Sequence, residues 1–517
     1  MRTIGSVATV ASVACFLLVL TRSVLGQETQ NAIRFDVSPP LRSITAPPRA
    51  EGAFAREHRV KKLPPLPARL AVRPDTVLQN QATRTLPIDA FIVFPGIGRD
   101  TNYAISSDPP DTNGSVGRMH YVQWVNTGLA IFDKSTRTRV LGPVNGNLLW
   151  TGFGGNCENF NDGDPIVLYD KTADRWLLTQ FAVSQAPFSQ CIAVSTSNDP
   201  TGAYARYEYQ FQDFNDYPKF GVWPDAYYGT FNMFRGNAFV GAKACAFERA
   251  KMIAGNAARM QCFDLANQGG LLSADMDGTM PPPSGAPNYL MNFGSDQLNL
   301  WKFHVDWSNP ASSTLTGPTT ISTAPFEIAC SHAPNPGECV VQPGTTELLD
   351  TLSDRLMFRL AYRNFGDHEV LLVNHAVATA ASSGVRWYEL RNPSGTPTIF
   401  QQGTYAPDGS FRWMASIAMD KAQNILMGYS VSSPQTSPSI RFTGRSVADP
   451  PNQMAAEQTA VNGVGFQMSP DRWGDYASMS VDPTDDCTFW FSTQYVGATG
   501  SFNWQTSIVP VKFSNCR

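Results

Sequence analysis

The feature that most constrains this chain is a repeated unit of two apolar strands joined by a short acidic turn. It is most complete from Asp471 to Tyr495, D-R-W-G-D-Y-A-S-M-S-V-D-P-T-D-D-C-T-F-W-F-S-T-Q-Y. A polar head (Arg472, Asp475) precedes an alternating strand, a tight turn from Asp482 to Asp486, and an aromatic return strand from Phe489. The outline returns from Gly163 to Phe181 around Asp170 and Asp174, from Arg412 around Asp420 and Asn424, and from Glu347 around Asp350 and Asp354. Asp and Asn suit the ends of such turns because their short side chains bond backbone N–H groups two residues on. An apolar run, D-x-x-x-[DN] and a second apolar run therefore read as a hairpin. Hairpins recurring at roughly 40 to 60 residues suggest propeller blades, whose period is about 40 to 50.

Helical periodicity is scarce, the best candidate being a short stretch around Phe247 to Ala257. The expected fold is therefore all-β, a single β-propeller from about residue 96 to 517. Seven units are read in it, with six or eight open as alternatives. Four consecutive strands in the second unit, D-P-I-V-L-Y-D, R-W-L-L-T-Q-F, Q-C-I-A-V-S and A-R-Y-E-Y-Q-F, match the content of one blade. The chain's last strand, tied by Cys487 and Cys516, is expected to close the ring.

The first 26 residues have a basic start, an apolar middle from Val7 to Leu20 and small residues toward Gly26, the pattern of a secretory signal. The apolar run is too short for a stable membrane span. Cys15 lies inside that run rather than after it, which argues against lipidation. From Gln27 to about Pro95 the chain is rich in Pro, Arg and Ala, and reads as an extended leader that wraps the main domain or is removed as a pro-segment.

Whole-chain charge is −4, from 39 basic and 43 acidic residues; losing the signal segment removes Arg2 and Arg22 and leaves 37 basic against 43 acidic. Such a balance gives no basic footprint for nucleic acid. Eight of the nine cysteines remain, and an even number in an exported chain suggests disulfides. Eight cysteines allow 105 connectivities. The reading chosen is near-neighbour pairing: Cys157 with Cys191, Cys245 with Cys262, Cys330 with Cys339, Cys487 with Cys516. A secreted or periplasmic monomer with no membrane span in the mature chain is the corresponding expectation.

Four segments, G-D-P-I-V-L-Y-D-K-T-A-D-R-W, D-Y-P-K-F-G-V-W-P-D, D-R-L-M-F-R-L-A-Y-R-N-F-G-D-H-E and R-W-G-D-Y-A-S-M-S-V-D-P, carry a resemblance to a group of exported bacterial proteins with a propeller-like catalytic or binding core. It covers about Met119 to Arg517. More distantly the architecture is similar to sialidase-type propellers. The S-x-D-x-G-x-x-W box of those enzymes is not present in standard form, so none of their site residues is carried over.

H-E-x-x-H, G-x-S-x-G and G-x-x-x-x-G-K-[ST] are all missing, which removes support for a zinc protease, an α/β hydrolase and a P-loop enzyme. What remains is positional, because the innermost strands of a propeller converge on one channel and bring their polar heads together. Those heads are His120, Asp164, Asp216 with Lys219, Glu347, Arg412, and Arg472 with Asp475. Asp164, Asp475, Glu347, Arg412, Arg472 and His375 are the candidate catalytic groups; His120, Asp216, Lys219, Trp413 and Trp473 are candidate ligand contacts. Carboxylates beside cations at a funnel mouth suit acid/base work on a glycan, with Arg holding a substrate carboxylate. Ca²⁺ is a further candidate ligand for the carboxylates. Two functions stay open: a polysaccharide-active glycoside hydrolase or lyase, and a non-catalytic propeller binding a glycan, a protein or a cell surface.

Overall fold

The computed structural model describes residues 26–45, 61–65, 73–98 and 107–517. The expected signal segment therefore lies outside the described residues, apart from Gly26. Among the described residues the chain folds into successive mainly antiparallel sheets of four or five strands, two of them joined into one of nine, with two short α-helices, Gly155–Asn159 and Arg249–Ile253. The innermost strands are Thr112–Val116, Gly163–Asp170, Phe214–Val222, Leu272–Asp277, Met357–Asn364, Phe411–Met419 and Ser478–Val481. Each is a neighbour of the next, and Ser478–Val481 lies beside Thr112–Val116, so the inner strands form a closed ring. This is the arrangement of a β-propeller. At one seam two inner strands pair directly, Leu272–Asp277 running parallel to Met357–Asn364 with Ala274 opposite Leu360.

Local sequence explains the hairpins. In the last sheet Asp482 accepts from the Thr484 backbone N–H through its carboxylate (2.9 Å) and from the Asp486 N–H through its carbonyl (2.9 Å). Asp170 does the same for Ala173 (3.0 Å), and Asp420 for Ala422 and Asn424 (2.8 and 2.9 Å). The unit read from Glu347 departs from this pattern. Leu349–Asp350 pairs instead with Glu338–Val340 in a small ribbon, and Asp354 sits in the loop that leads to the inner strand at Met357.

The ring is not closed by the last strand alone. Trp504–Lys512 is the third strand of its sheet, and the outer edge is taken by Phe94–Pro95, from the segment expected to be a leader. That segment also adds Gln27–Asn31 and Arg34–Val37 to the edges of the third and second sheets and Leu78–Gln79 to the fifth. Leu41, Leu86, Phe94 and Ile97 are buried. Strand alternation is absent there because each piece only supplies an edge, needing backbone pairing and one apolar anchor rather than a buried face.

Apolar side chains fill the space between adjacent sheets; Ile166, Leu177, Tyr207, Phe220, Phe231 and Phe247 form part of one such layer. All four near-neighbour cysteine pairs are disulfides. Cys245 and Cys262 stand opposite each other on paired strands, so that bridge staples one sheet. Among the described residues no helix is long and apolar enough to cross a membrane.

Candidate functional site

The inner strands all start at the same end of the ring, and near the starts of five of them a residue carries backbone angles unusual for L-residues. Asp111, Asp164, Tyr217, Met414 and Asp475 have φ between 45 and 53°. Bulges interrupt the pairing near these points, between Asp216 and Lys219 and between Trp413 and Ser416. A bulge re-aims the side chains that follow it. At Gly163 (φ 99°) a Cβ would stand 1.6 Å from Asn126 Oδ1, so only glycine fits before Asp164. Gly474 (φ 74°) plays the same part before Asp475, its missing Cβ leaving room for Met414.

These turns gather charged groups from the first, second, third, fifth and seventh sheets at one end of the channel. Asp164, Asp216 and Lys219 are 3, 0 and 1 % exposed. Lys219 Nζ lies 3.5 Å from the centre of the Tyr217 ring and 3.8 Å from that of Tyr476. Tyr217 donates from its hydroxyl to the Asp475 carbonyl (3.1 Å), and Tyr476 to the Pro165 carbonyl (3.3 Å). Arg472 is ion-paired with Asp475. Arg355, from the fifth sheet, pairs with Asp354 at 2.7 Å and lies 4.4 Å from the Tyr217 ring centre.

Carboxylates outnumber cations here, and burial penalises every charge. Burial is the main reason that the Asp164 carboxyl is pushed up to about 6; Asp475 adds to the rise, Lys219 opposes it, and Asp164 shares a hydrogen bond with Asp111. Asp216 is pushed up to about 7, again chiefly by burial and then by the charge of Asp164. Burial brings the Lys219 amine down to about 7, against the pull of Asp164, Asp111 and Asp475. Asp350, whose carboxylate accepts from the Leu352 N–H, rises to about 6 for the same first reason. Asp164 Oδ2 and Asp216 Oδ1 are buried without a hydrogen-bond partner among the described residues. The mouth thus offers proton donors, a neutralisable amine and two guanidinium groups within one dry site.

Of the residues read from sequence, Asp164, Asp216, Lys219, Arg472 and Asp475 come together. Glu347 does not: it is exposed, and the carboxylate brought near Arg472 from that stretch is Asp350. Arg412 is buried but held away by Asp408 and Glu457, each at 2.9 Å. His120 begins the second strand of its sheet rather than the inner one; antiparallel pairing puts its start at the opposite end, near Asp133 and Asp199. His375 is stacked between Phe293 and Tyr388 and bonded to the Tyr388 hydroxyl (3.0 Å), with its pKa well below the usual value because of burial. Trp413 and Trp473 pack on each other at 5.7 Å in the apolar layer, and Trp473 Nε1 donates to Ser430. Asp111, Tyr217, Asp350, Arg355 and Tyr476 were not read from sequence. Asp111 had a signal, since D-T-N-G-S-V repeats the acid-before-strand pattern of G-D-P-I-V. Among the described residues no three or more His, Cys, Asp and Glu side chains are grouped to hold a metal ion.

No family model matches the chain. No curated protein matches it either. Among solved structures it is similar to an endo-arabinase from Bacteroides thetaiotaomicron VPI-5482, at 12 % identity over 56 % of this chain and 94 % of that one, TM-score 0.27. It is also similar to an ulvan lyase of a new polysaccharide lyase family, at 11 % identity, 80 and 97 % coverage and TM-score 0.36. The α-L-arabinofuranosidase Arb93A from Fusarium graminearum follows at 9 % identity, 85 and 99 % coverage and TM-score 0.35. Likeness at this level carries no activity across; the fold rests on the chain's own strand order.

Proposed function

We propose that the mouth of the channel is the acid/base site of an exported glycan-active enzyme, a glycoside hydrolase or lyase. The observation that carries this reading is the meeting of Asp164, Asp216, Lys219 and the Arg472–Asp475 pair, from three sheets, in one buried cluster with two unpartnered carboxyl oxygens. A carboxyl raised to about 6 holds a proton that it can give to a leaving oxygen, so Asp164 is the candidate acid. Lys219, brought down to about 7, becomes a neutral amine that can take a proton. Arg472 and Arg355 supply the donors for an anionic sugar. The four disulfides support an oxidising compartment.

A second reading follows from the near-complete burial of the cluster: a propeller that binds its ligand without chemistry. The purified protein and its Asp164→Asn variant, incubated with a panel of neutral and uronic-acid polysaccharides, separate the two. Release of reducing ends or unsaturated products by the native protein, at least tenfold weaker in the variant, supports the enzyme. Binding of a polysaccharide with no product from either protein supports the binder.

A further inference from the structure

The mouth of the channel is covered by a piece of the chain itself. Lys61 donates its backbone N–H to Asp216 Oδ2 (2.9 Å), and Leu63 donates its own to Asp354 Oδ2 (3.2 Å). Arg355 Nη2 reaches back to the Lys61 carbonyl (3.4 Å). Alternate residues of an extended segment thus offer their amides to two carboxylates of the cluster, and the guanidinium between takes a carbonyl.

Side chains fix the register. Lys61 Nζ lies 5.1 Å from the ring centres of both Phe214 and Phe234 and bonds the Gly236 carbonyl, a cation held by aromatic faces and a backbone acceptor. Lys62 Nζ donates to the Pro336 carbonyl (2.8 Å). Leu63 sits over Gly269 and Gly270, where a Cβ on Gly269 would be 2.7 Å from its Cδ2. Lys62, Leu63 and Pro65 then form one wall of a cavity of about 390 Å³ that reaches Phe326, His332, Asp350 and Asp354.

We propose that Lys61–Pro65 is an intramolecular plug, bound as an extended basic peptide in the candidate site, and that substrate enters only while the plug is transiently released, so that the native protein turns over slowly. The plug's role as a gate rests on the enzymatic reading above; its binding as a peptide does not. Basic residues in the sequence on both sides of it, Arg56, Arg59 and Arg69, offer cleavage points to a trypsin-like protease, whose action would let the plug dissociate.

The test uses the full chain and a double variant, Lys61→Pro with Leu63→Pro, which deletes the two donating N–H groups. Hydrogen exchange on the native protein should show the amides of Lys61 and Leu63 protected. An acetylated, amidated peptide of sequence Val-Lys-Lys-Leu-Pro-Pro-Leu should bind the variant and not the native protein, whose site is filled. Leu63→Ala, which empties the glycine notch without touching the backbone, should give the same result more weakly, and serves if the proline variant does not fold. On a polysaccharide cleaved by the native protein, the variant should be at least tenfold faster. Unprotected amides at Lys61 and Leu63, or no peptide binding by either variant, would overturn the plug. Peptide binding with equal rates in native and variant protein would overturn gating. Peptide binding with no product from any polysaccharide keeps the plug and removes the enzymatic reading instead.

Discussion

Asp216 shows what burial does to a single carboxyl in this molecule. Its pKa lies near 7 in the folded chain because the charged form is cut off from water and faces Asp164. The folded state therefore keeps this proton to higher pH than the unfolded state does, and stability falls as pH rises from about 4 through about 7. Asp216→Asn cannot ionise and still accepts from the Lys61 N–H. Its melting temperature should match the native protein's at pH 4 and exceed it increasingly toward pH 8, as thermal melts across that range would show. Asp475 is a different case. It is the buried partner of Arg472, so Asp475→Asn leaves a guanidinium uncompensated and should cost about 3–5 kcal/mol in a denaturant titration. Asp164 and Asp475 could be read from sequence because a glycine before an acid at a strand start has a local cause, a backbone angle only glycine tolerates. Asp350 and Arg355 could not: their place depends on a loop whose ribbon pairing has no period.

At the level of the elements, the hairpin turns were legible and the direction of strands was not. Asp170, Asp420 and Asp482 cap turns by bonds to amides two to four residues away, so the pattern is contained in a short window. His120 stands away from the cluster because it starts a second strand, which runs antiparallel to the inner one, and a strand read alone does not reveal its position in the sheet. His375 lies near the end of such a strand, beside the start of the inner one, but its ring is packed between Phe293 and Tyr388. Arg412 starts an inner strand, yet Asp408 and Glu457 draw its guanidinium to the side. Arg412→Gln should therefore lower the melting temperature by several degrees while leaving any polysaccharide response within twofold; a response lost with unchanged melting would return Arg412 to the site.

For the whole molecule, closure brings together parts of the chain that are far apart. The outer strand of the last sheet comes from Phe94–Pro95, and Cys487 is bridged to Cys516 at the end of the chain. Replacing both cysteines by Ala should cost about 2–5 kcal/mol, measured by denaturant unfolding. The all-β character and the succession of hairpins were visible in the alternation of apolar residues; the inner strand Leu272–Asp277 and the use of the leader as edge strands were not, the latter because two- to five-residue edges carry no alternation of their own.

The same closure makes the candidate site, because Asp164 and Asp475 belong to sheets at nearly opposite ends of the sequence. The most direct measurement is the pH profile of product release from the best-cleaved polysaccharide, in the native protein and in Asp164→Asn. An acid with a pKa of about 6 predicts a rate that falls tenfold per pH unit above that value, a limb missing in a variant that is at least tenfold slower but melts no lower than the native protein. An alkaline limb unchanged in Asp164→Asn, at an undiminished rate, would contradict the assignment of the channel mouth as the acid/base site.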